Sequence, residues 1–437
     1  MEINQILKEV KDLLSKYKWE IYISEISKLK SKSKDFEIES ITKSREYGLS
    51  VRVLKDGKSG FSYTSDPTPQ NIRKSIEKAL ELLKISTPDE NLSFQKPVNT
   101  EKVEYYDSYA SEVLDSDEKI LKAIEIERSI KTKDIRIKNV RECSFSETIF
   151  KYSLINSEGV NTTEKGTIYT AFASAVAEER GDTQIAWDFI QSRFLKDLDI
   201  EFLADEIVSN AVSLLGATPT ETKSIPVLFP PYAFSQILEA FYPAFSGDYL
   251  IKGKSYFEDK KDTPVACSDL SIVDNGRLAK GIMTRSFDDE GTPTQKTVLV
   301  EKGIFKNFIH NLYTSSVSGE KPTGNGYRSS FKDSTSVKPS NFYVESGEGI
   351  KIKNDTFKVI EMLGLHTSNP VTGDFSVGVS GLIINEKGIV KPVRGVTLTG
   401  NFFEIIKNIV QIGNDLRFYG GFGSPSVLVK EMVIGGI

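Results

Sequence analysis

Three consecutive segments limit what this chain can fold into. IRIKNVRECSFSETIFKYSLINS (135–157), GTIYTAFASAVAEE (166–179) and TQIAWDFIQSRF (183–194) alternate apolar and polar residues and are joined by short polar turns. Alternation with period two marks strands that bury one face. Connections this short cannot carry a parallel crossover, so the strands form an antiparallel meander. Further strands are expected at EIYISEI (20–26), DFEIESI (35–41) and YGLSVRVLKDGKSGFSYTS (47–65). The last is a hairpin turning at Lys55-Asp56-Gly57, where Asp-Gly tolerates positive φ. TVLVEKGIFKNFIHN (297–311) and GLIINEKGIVKPV (381–393) are two more hairpins with Glu-Lys-Gly turns. Helical spacing of apolar residues predicts helices over 3–17, 69–84, 117–131, 198–215 and 401–413, with another carrying Glu239. Strands and helices do not alternate regularly, so the expected class is α+β with antiparallel sheets.

Polar stretches near 88–107 and 217–224 read as linkers. They divide the chain into an N-terminal α+β region (1–90), a helix plus antiparallel meander (91–222) and a β-rich C-terminal domain (223–437). The lysine-rich KLKSKSK (28–34) reads as a solvated loop. Net charge is −5, from 56 basic and 61 acidic residues. A broad basic face for nucleic acid is therefore not expected. No apolar run approaches a membrane span, and charges interrupt the N-terminal helix, which excludes it as a signal peptide. Two distant cysteines, Cys143 and Cys267, fit a reduced, cytoplasmic setting. The only histidines are His310 and His366. Neither has a second His or Cys at ligand spacing, and neither lies near a nucleophile elbow.

Four motifs after residue 285 carry the chemical information. FDDEGTPT (287–294) places Asp288, Asp289 and Glu290 in succession; such carboxylates repel unless solvent, a cation or backbone donors compensate. KPTGNGYR (321–328) is a polar loop containing Gly324 and Asn325. SNPVTGDFSVGVSGLIIN (368–385) contains Gly373, Asp374 and Phe375, and its glycines suggest close backbone approach within a strand. IGNDLRFYGGFGSPSVLV (412–429) adds another glycine cluster. Together with GLSVRVLKDGKSGF and TLTGNFFEIIKNIVQIGNDLRF, these stretches resemble the TldD/PmbA family from about residue 20 to the C-terminus. Its members were once described as modulators of DNA gyrase and are now associated with metal-dependent proteolysis.

The resemblance implies an N-terminal α+β part and a β-rich C-terminal part assembled as an intimate dimer. TldD-type chains carry HExxxH on a helix, with two zinc-binding histidines, a catalytic glutamate and a cysteine ligand near the C-terminus. In QILEAFYPAFSGDYL (236–250), alignment on Gly247-Asp248 sets Leu238 and Pro243 at the histidine positions and Glu239 at the glutamate. The segment after IGNDLRF has no cysteine. The resemblance therefore implies a PmbA (TldE)-type subunit with a vestigial Glu239 and no metal or cofactor of its own. Zinc would reside in a TldD-type partner, and the chain alone would form a homodimer. Expected contacts with a peptide substrate are Asp288, Asp289, Glu290, Gly324, Asn325, Gly373, Asp374 and Phe375. The glycine-rich segments 373–381 and 419–423 would offer strand edges to it. Two alternatives stay open at this level: a stand-alone hydrolase using a carboxylate site for Mg²⁺ or Ca²⁺ built from Asp288, Asp289, Glu290 and Asp374, and a protein-binding modulator of a topoisomerase or toxin system.

Overall fold

A computed structural model describes Val10 and residues 13–436 of the chain. Its first half is built on one antiparallel sheet in the order β3-β2-β1-β4-β5-β6. These strands are β1 (Lys18–Lys34), β2 (Glu37–Lys55), β3 (Lys58–Thr64), β4 (Ile137–Asn156), β5 (Asn161–Glu179) and β6 (Asp182–Ser192). The first two sequence segments thus contribute three strands each to a shared sheet. Asp56 and Gly57 turn the β2–β3 hairpin with φ of 51° and 73°, the positive pair that a two-residue turn requires.

Alternation assigns the two faces of this sheet. Tyr169, Ala171, Ala173, Ala175 and Ala177 of β5 are fully buried in one apolar cluster. Against them pack α2 (Ser116–Lys133) and α3 (Ile200–Ser213). The alanines leave room for helices to approach closely. On the same face, Ile21, Ile23, Leu49, Val51 and Val53 meet α1 (Pro69–Ile85) through Ile72, Ile76, Ala79 and Leu83. Much of the helix expected at 3–17 lies outside the described residues; Val10 and Leu14 belong to this cluster. The other face, which carries Tyr22, Ser24, Phe150 and Tyr152, turns toward the C-terminal half.

The C-terminal half contains two six-stranded sheets. One runs β10-β9-β8-β13-β19-β18 and uses β8 (Ile272–Asn275), β9 (Lys296–Glu301), β10 (Ile304–Phe305), β13 (Phe342–Val344), β18 (Arg417–Tyr419) and β19 (Phe422–Ser424). The other runs β16-β15-β14-β7-β20-β17 and uses β7 (Lys223–Phe229), β14 (Thr356–Leu363), β15 (Asp374–Asn385), β16 (Gly388–Asn401), β17 (Ile409–Ile412) and β20 (Val427–Gly435). Pairing of β16 with β20 closes the second sheet into a barrel-like body. A small ladder, β11 (Gly326–Tyr327) with β12 (Ser336–Val337), stands apart. Helix α4 (Pro231–Phe241) sits between the two sheets and buries Phe234, Ile237, Leu238 and Phe241. Pro231 starts it, where a missing N–H costs nothing. Pro243 falls in the single 3₁₀ turn Tyr242–Phe245 that follows it, because proline cannot donate to a continuing helix.

The structure corrects four expectations. KLKSKSK is not a solvated loop: it continues β1, with Leu29, Ser31 and Ser33 buried. The hydroxyls of Ser31 and Ser33 donate to the carbonyls of Ile120 and Ala123 in α2, so serine occupies inward positions where a helix passes close. The 401–413 helix is a single turn, Phe402–Ile405, capped by Asn401 and followed by β17. The β-branched run Ile409-Val410 instead pairs with β20. The polar stretch 88–107 is an ordered strap. Phe94 and Tyr105 are buried, and Gln95, Val103 and Tyr105 bond to Asn156, Ser286 and Thr167 respectively. Finally, most of 373–381 is not a free edge: β16 pairs with β15 from Asp374 onward on one side, and β14 pairs with it from Gly378 onward on the other. Gly381 has a local reason: a Cβ there would lie 2.1 Å from the Lys358 carbonyl oxygen. No helix among the described residues is long and apolar enough to cross a membrane.

Gly60 of β3 fixes the seat of α1, because a Cβ there would lie 1.9 Å from the Ala79 carbonyl oxygen. Backbone cannot yield as a side-chain tip can. Gly60→Ala is expected to destabilise the protein by about 3 kcal/mol, at the upper end of overpacking costs, read as a lowered urea midpoint with an unchanged m-value.

Candidate functional site

Between the free face of the first sheet and the C-terminal half lies a cleft of about 670 Å³. Its sheet wall is formed by Tyr22, Ser24, Thr148, Phe150 and Tyr152. The register explains this: Tyr22 pairs with Leu154, Ser24 with Tyr152 and Ile26 with Phe150, so even-numbered residues of both strands share one face. The opposite wall comes from Glu239, Tyr242 and the segment Tyr419–Phe422. At the base lie Arg193, Arg285, Asp289, Tyr327 and Arg328.

Buried charges join the walls. Glu20 of β1 has its side chain fully buried and lies 2.8 Å from Arg328 Nη2, with Arg52 Nε at 3.4 Å. Burial raises its carboxyl above the ordinary range, while Arg52 and Arg328 pull it back. Arg285 donates to Asp289 Oδ1 at 2.7 Å, and the Arg328 amide donates to Asp289 Oδ2 at 2.9 Å. Arg193 is 1 % exposed and donates only to main-chain carbonyls, those of Gly281, Thr167, Ile282 and Thr284. Burial lowers its pKa to about 9.

The acidic triplet is buried, not a solvated turn. Asp288 accepts from the amides of Glu290, Thr292 and Gly326. Burial first, and Glu290 second, push its carboxyl well above the ordinary range. Glu290 accepts from the Leu312 amide at 2.8 Å and from Thr335 Oγ1 at 2.6 Å. Every carboxylate oxygen of the triplet therefore already accepts a hydrogen bond. Backbone donors and one arginine supply the compensation that three adjacent carboxylates need. Only Asp289 of the three lines the cleft.

Gly324 and Asn325 belong to the same scaffold. Gly324 has φ +77°, and a Cβ would lie 2.5 Å from the Pro293 carbonyl oxygen. Asn325 is fully buried; its Nδ2 donates to Asp274 Oδ2 at 2.7 Å, and its Oδ1 accepts from Thr323. Gly373, Asp374 and Phe375 lie elsewhere. Phe375 is packed in the barrel core beside Phe241. Exposed Asp374 accepts from Asn401, and that bond, with one from Thr372, lowers its pKa. The structure thus brings Glu239 and Asp289 to one cleft, sets Asp288, Glu290, Gly324 and Asn325 behind its floor, and separates the 373–375 group. Sequence reading missed Tyr22, Tyr152, Arg193, Arg285 and Arg328. Two of these cations had a visible signal, since Arg285 precedes the triplet by three residues and Arg328 ends the glycine loop.

The two regions to which the resemblance assigns zinc ligands in TldD-type chains do converge. Helix α4 packs on β18 and β19, and the rings of Tyr242 and Phe422 lie 5.6 Å apart. The residues here do not fit a zinc ion. Leu238 is wholly buried in the apolar core, Pro243 offers no donor, and the facing segment supplies Gly420, Gly421 and Phe422. Zinc needs imidazole, thiolate or carboxylate ligands, and Glu239 is the one such group from these segments. The exposed Glu239 side chain has its carboxyl raised by desolvation against the cleft wall. His310 is buried elsewhere with Nδ1 3.2 Å from Thr314 Oγ1, and burial lowers it to about 4. Cys143 lies against α2, where burial pushes it up to about 12. Among the described residues no three His, Cys, Asp or Glu side chains are grouped to hold a metal.

Comparison with known proteins agrees in extent. Residues 19–83, 109–215 and 222–436 match the models of PmbA/TldA metallopeptidase domain 1, central domain and C-terminal domain respectively. An uncharacterized Methanocaldococcus jannaschii protein is 28% identical over 91% of each chain. The metalloprotease PmbA of Escherichia coli O157:H7 is 24% identical, covering 95% of this chain and 92% of its own. The crystal structure of TldE from Thermococcus kodakarensis superposes with a TM-score of 0.89 at 21% identity, covering 99% of both chains.

Two outcomes test this site. Arg328→Met leaves Glu20 buried with only the more distant Arg52, and should cost about 3 kcal/mol or more in urea denaturation. Asp274, fully buried beneath Asn325, has its carboxyl raised to about 6 by burial, against an ordinary 3.8. The folded state binds this proton more tightly than the unfolded chain does. Its contribution to stability is therefore full below about pH 4 and lost as pH rises through 6. A carboxyl resonance of Asp274 titrating near 6 by NMR is the expected observation.

Proposed function

This chain belongs to the PmbA/TldD metallopeptidase family, and on that premise we propose that it is the zinc-free subunit of a two-chain peptidase of TldD/TldE type. In that assembly a TldD-type partner holds the zinc and cuts the peptide, while this chain shapes the path by which an extended peptide reaches it. One observation carries the reading: Glu239 of α4 and the 419–422 segment face the same cleft, as a zinc site would demand, yet the positions that would carry ligands are Leu238, buried in the core, Pro243 in the following turn, and Gly420, Gly421 and Phe422. These offer neither nitrogen nor sulfur ligands, and without a metal Glu239 has no activated water to deprotonate. Support also comes from the likeness to TldE over the whole chain. The cleft suits a peptide, because a cavity of this volume with aromatic walls and a few buried polar groups can grip backbone and side chains together.

Glu239 and Asp289 then stand as wall carboxylates. Asp288 and Glu290 hold the loops that form the floor. The stand-alone carboxylate-metal hydrolase gains nothing from the structure, since the triplet oxygens are occupied and Asp374 lies apart.

Purified chain mixed with a TldD-type partner should cleave a disordered peptide in a chelator-sensitive manner. Each chain alone should be at least tenfold slower, and metal analysis should find zinc in the partner. Full activity of the partner without this chain would reject the proposal.

A further inference from the structure

The cleft base carries a set of donors that no protein acceptor occupies among the described residues. Tyr22 is 4 % exposed, and neither its hydroxyl nor that of Tyr152 makes a hydrogen bond to another protein group among the described residues. The Tyr22 and Tyr152 rings stack at 5.9 Å. Arg285 is 8 % exposed, and its guanidinium lies over the Tyr152 ring at 4.7 Å. One terminal nitrogen of Arg285 is spent on Asp289, while the other has no protein acceptor among the described residues. Unlike the enclosed Arg285 Nε and Tyr327 hydroxyl, these three donors are open to the cleft that their side chains line. Burial keeps both tyrosines protonated at neutral pH, with Tyr22 held well above the ordinary range, so they remain donors.

The charge at this place is positive although the chain as a whole is acidic. Arg193, Arg285, Arg328 and Lys338 line the cleft against Glu239 and Asp289. Arg193 lacks any carboxylate partner among the described residues. A buried cation bonded only to carbonyls favours a nearby anion, and the surrounding aromatic walls exclude the water that would screen it. Two hydroxyls and one guanidinium edge suit a flat, two-oxygen anion.

We propose that the floor of the cleft, formed by Tyr22, Tyr152 and Arg285, is a carboxylate-binding subsite that anchors an acidic group of the peptide. The anchored group is either the C-terminal carboxylate or an Asp or Glu side chain. The assignment rests on reading the cleft as a peptide path, and it gives this subunit a share in substrate choice. The test is calorimetric binding to the full chain of three short, unstructured peptides of Gly, Ser and Ala. The first has a free C-terminal acid, the second is amidated, and the third is amidated with one internal Asp. Binding of the first or third about tenfold tighter than the second supports the subsite, and which of the two binds names the source of the carboxylate. Tyr22→Phe keeps the ring and the fold, checked by an unchanged Tm, and should weaken the acidic peptide about tenfold, the loss expected for a hydrogen bond to a charged group. It should leave the amidated peptide unmoved. Equal binding of all three peptides, no binding by any, or no effect of Tyr22→Phe on the acidic peptide would overturn the subsite. Partner-dependent cleavage is scored separately, so its presence alongside any of these results leaves the functional reading intact. Its absence beside selective acid binding removes that reading and keeps the subsite.

Discussion

The meeting of Glu20 with Arg328 is the constraint on which the rest depends. One partner sits at the start of the first strand and the other ends a glycine loop of the C-terminal half, 308 residues later. Both side chains are almost completely removed from water. Ions so placed lose several kcal/mol of hydration each and recover it only when paired with good geometry. The two halves therefore cannot slide without exposing a bare charge to an apolar surrounding. Asp289 extends the same logic, since it takes Arg285 through one oxygen and the Arg328 amide through the other. The cleft is the space these pairs hold open beside the sheet.

Fixed walls change what the floor can do. Each oxygen of the acidic triplet is committed to an amide, a hydroxyl or a guanidinium, so the triplet acts as a staple among loops. The cations are less fully committed: Arg193 meets only carbonyls, and part of Arg285 remains free beside two tyrosine hydroxyls. A chain with net negative charge thus presents a positive recess. At α4, where the resemblance to TldD-type chains sets the zinc ligands, this chain carries Leu238 and, just beyond the helix, Pro243, with Gly420 and Gly421 on the facing segment. Scaffold and chemistry are separable here, as is general for enzymes and their relatives.

Much of the architecture was legible in the chain. The meander, the Asp-Gly hairpin, the Pro-started helix α4 and its end at Pro243 all follow from local stereochemistry. So does the alanine ladder of β5, whose alternation survives as a buried face. The misreadings have physical causes. Ser31 and Ser33 look like loop residues until a helix passes close enough to take their hydroxyl protons. Asn401-Phe402-Phe403 begins a helix as its spacing suggests, but the β-branched residues after it pair with β20. The strap at 88–107 has no periodicity to detect, because it is held by isolated backbone contacts with partners far away in sequence.

For the site, the sequence by itself determined which side chains occupy the positions in question. Leu238 and Pro243 stand where the resemblance to TldD-type chains places the zinc-binding histidines, and no cysteine follows IGNDLRF. Only the tertiary structure decided which carboxylates are solvated and which cations stay unpaired. Charge is a property of a residue, but its energy is set by what surrounds it after folding. Burial and partners from distant strands turned Asp288 and Glu290 into internal fasteners and left Tyr22, Tyr152 and Arg285 with donors turned to the cleft.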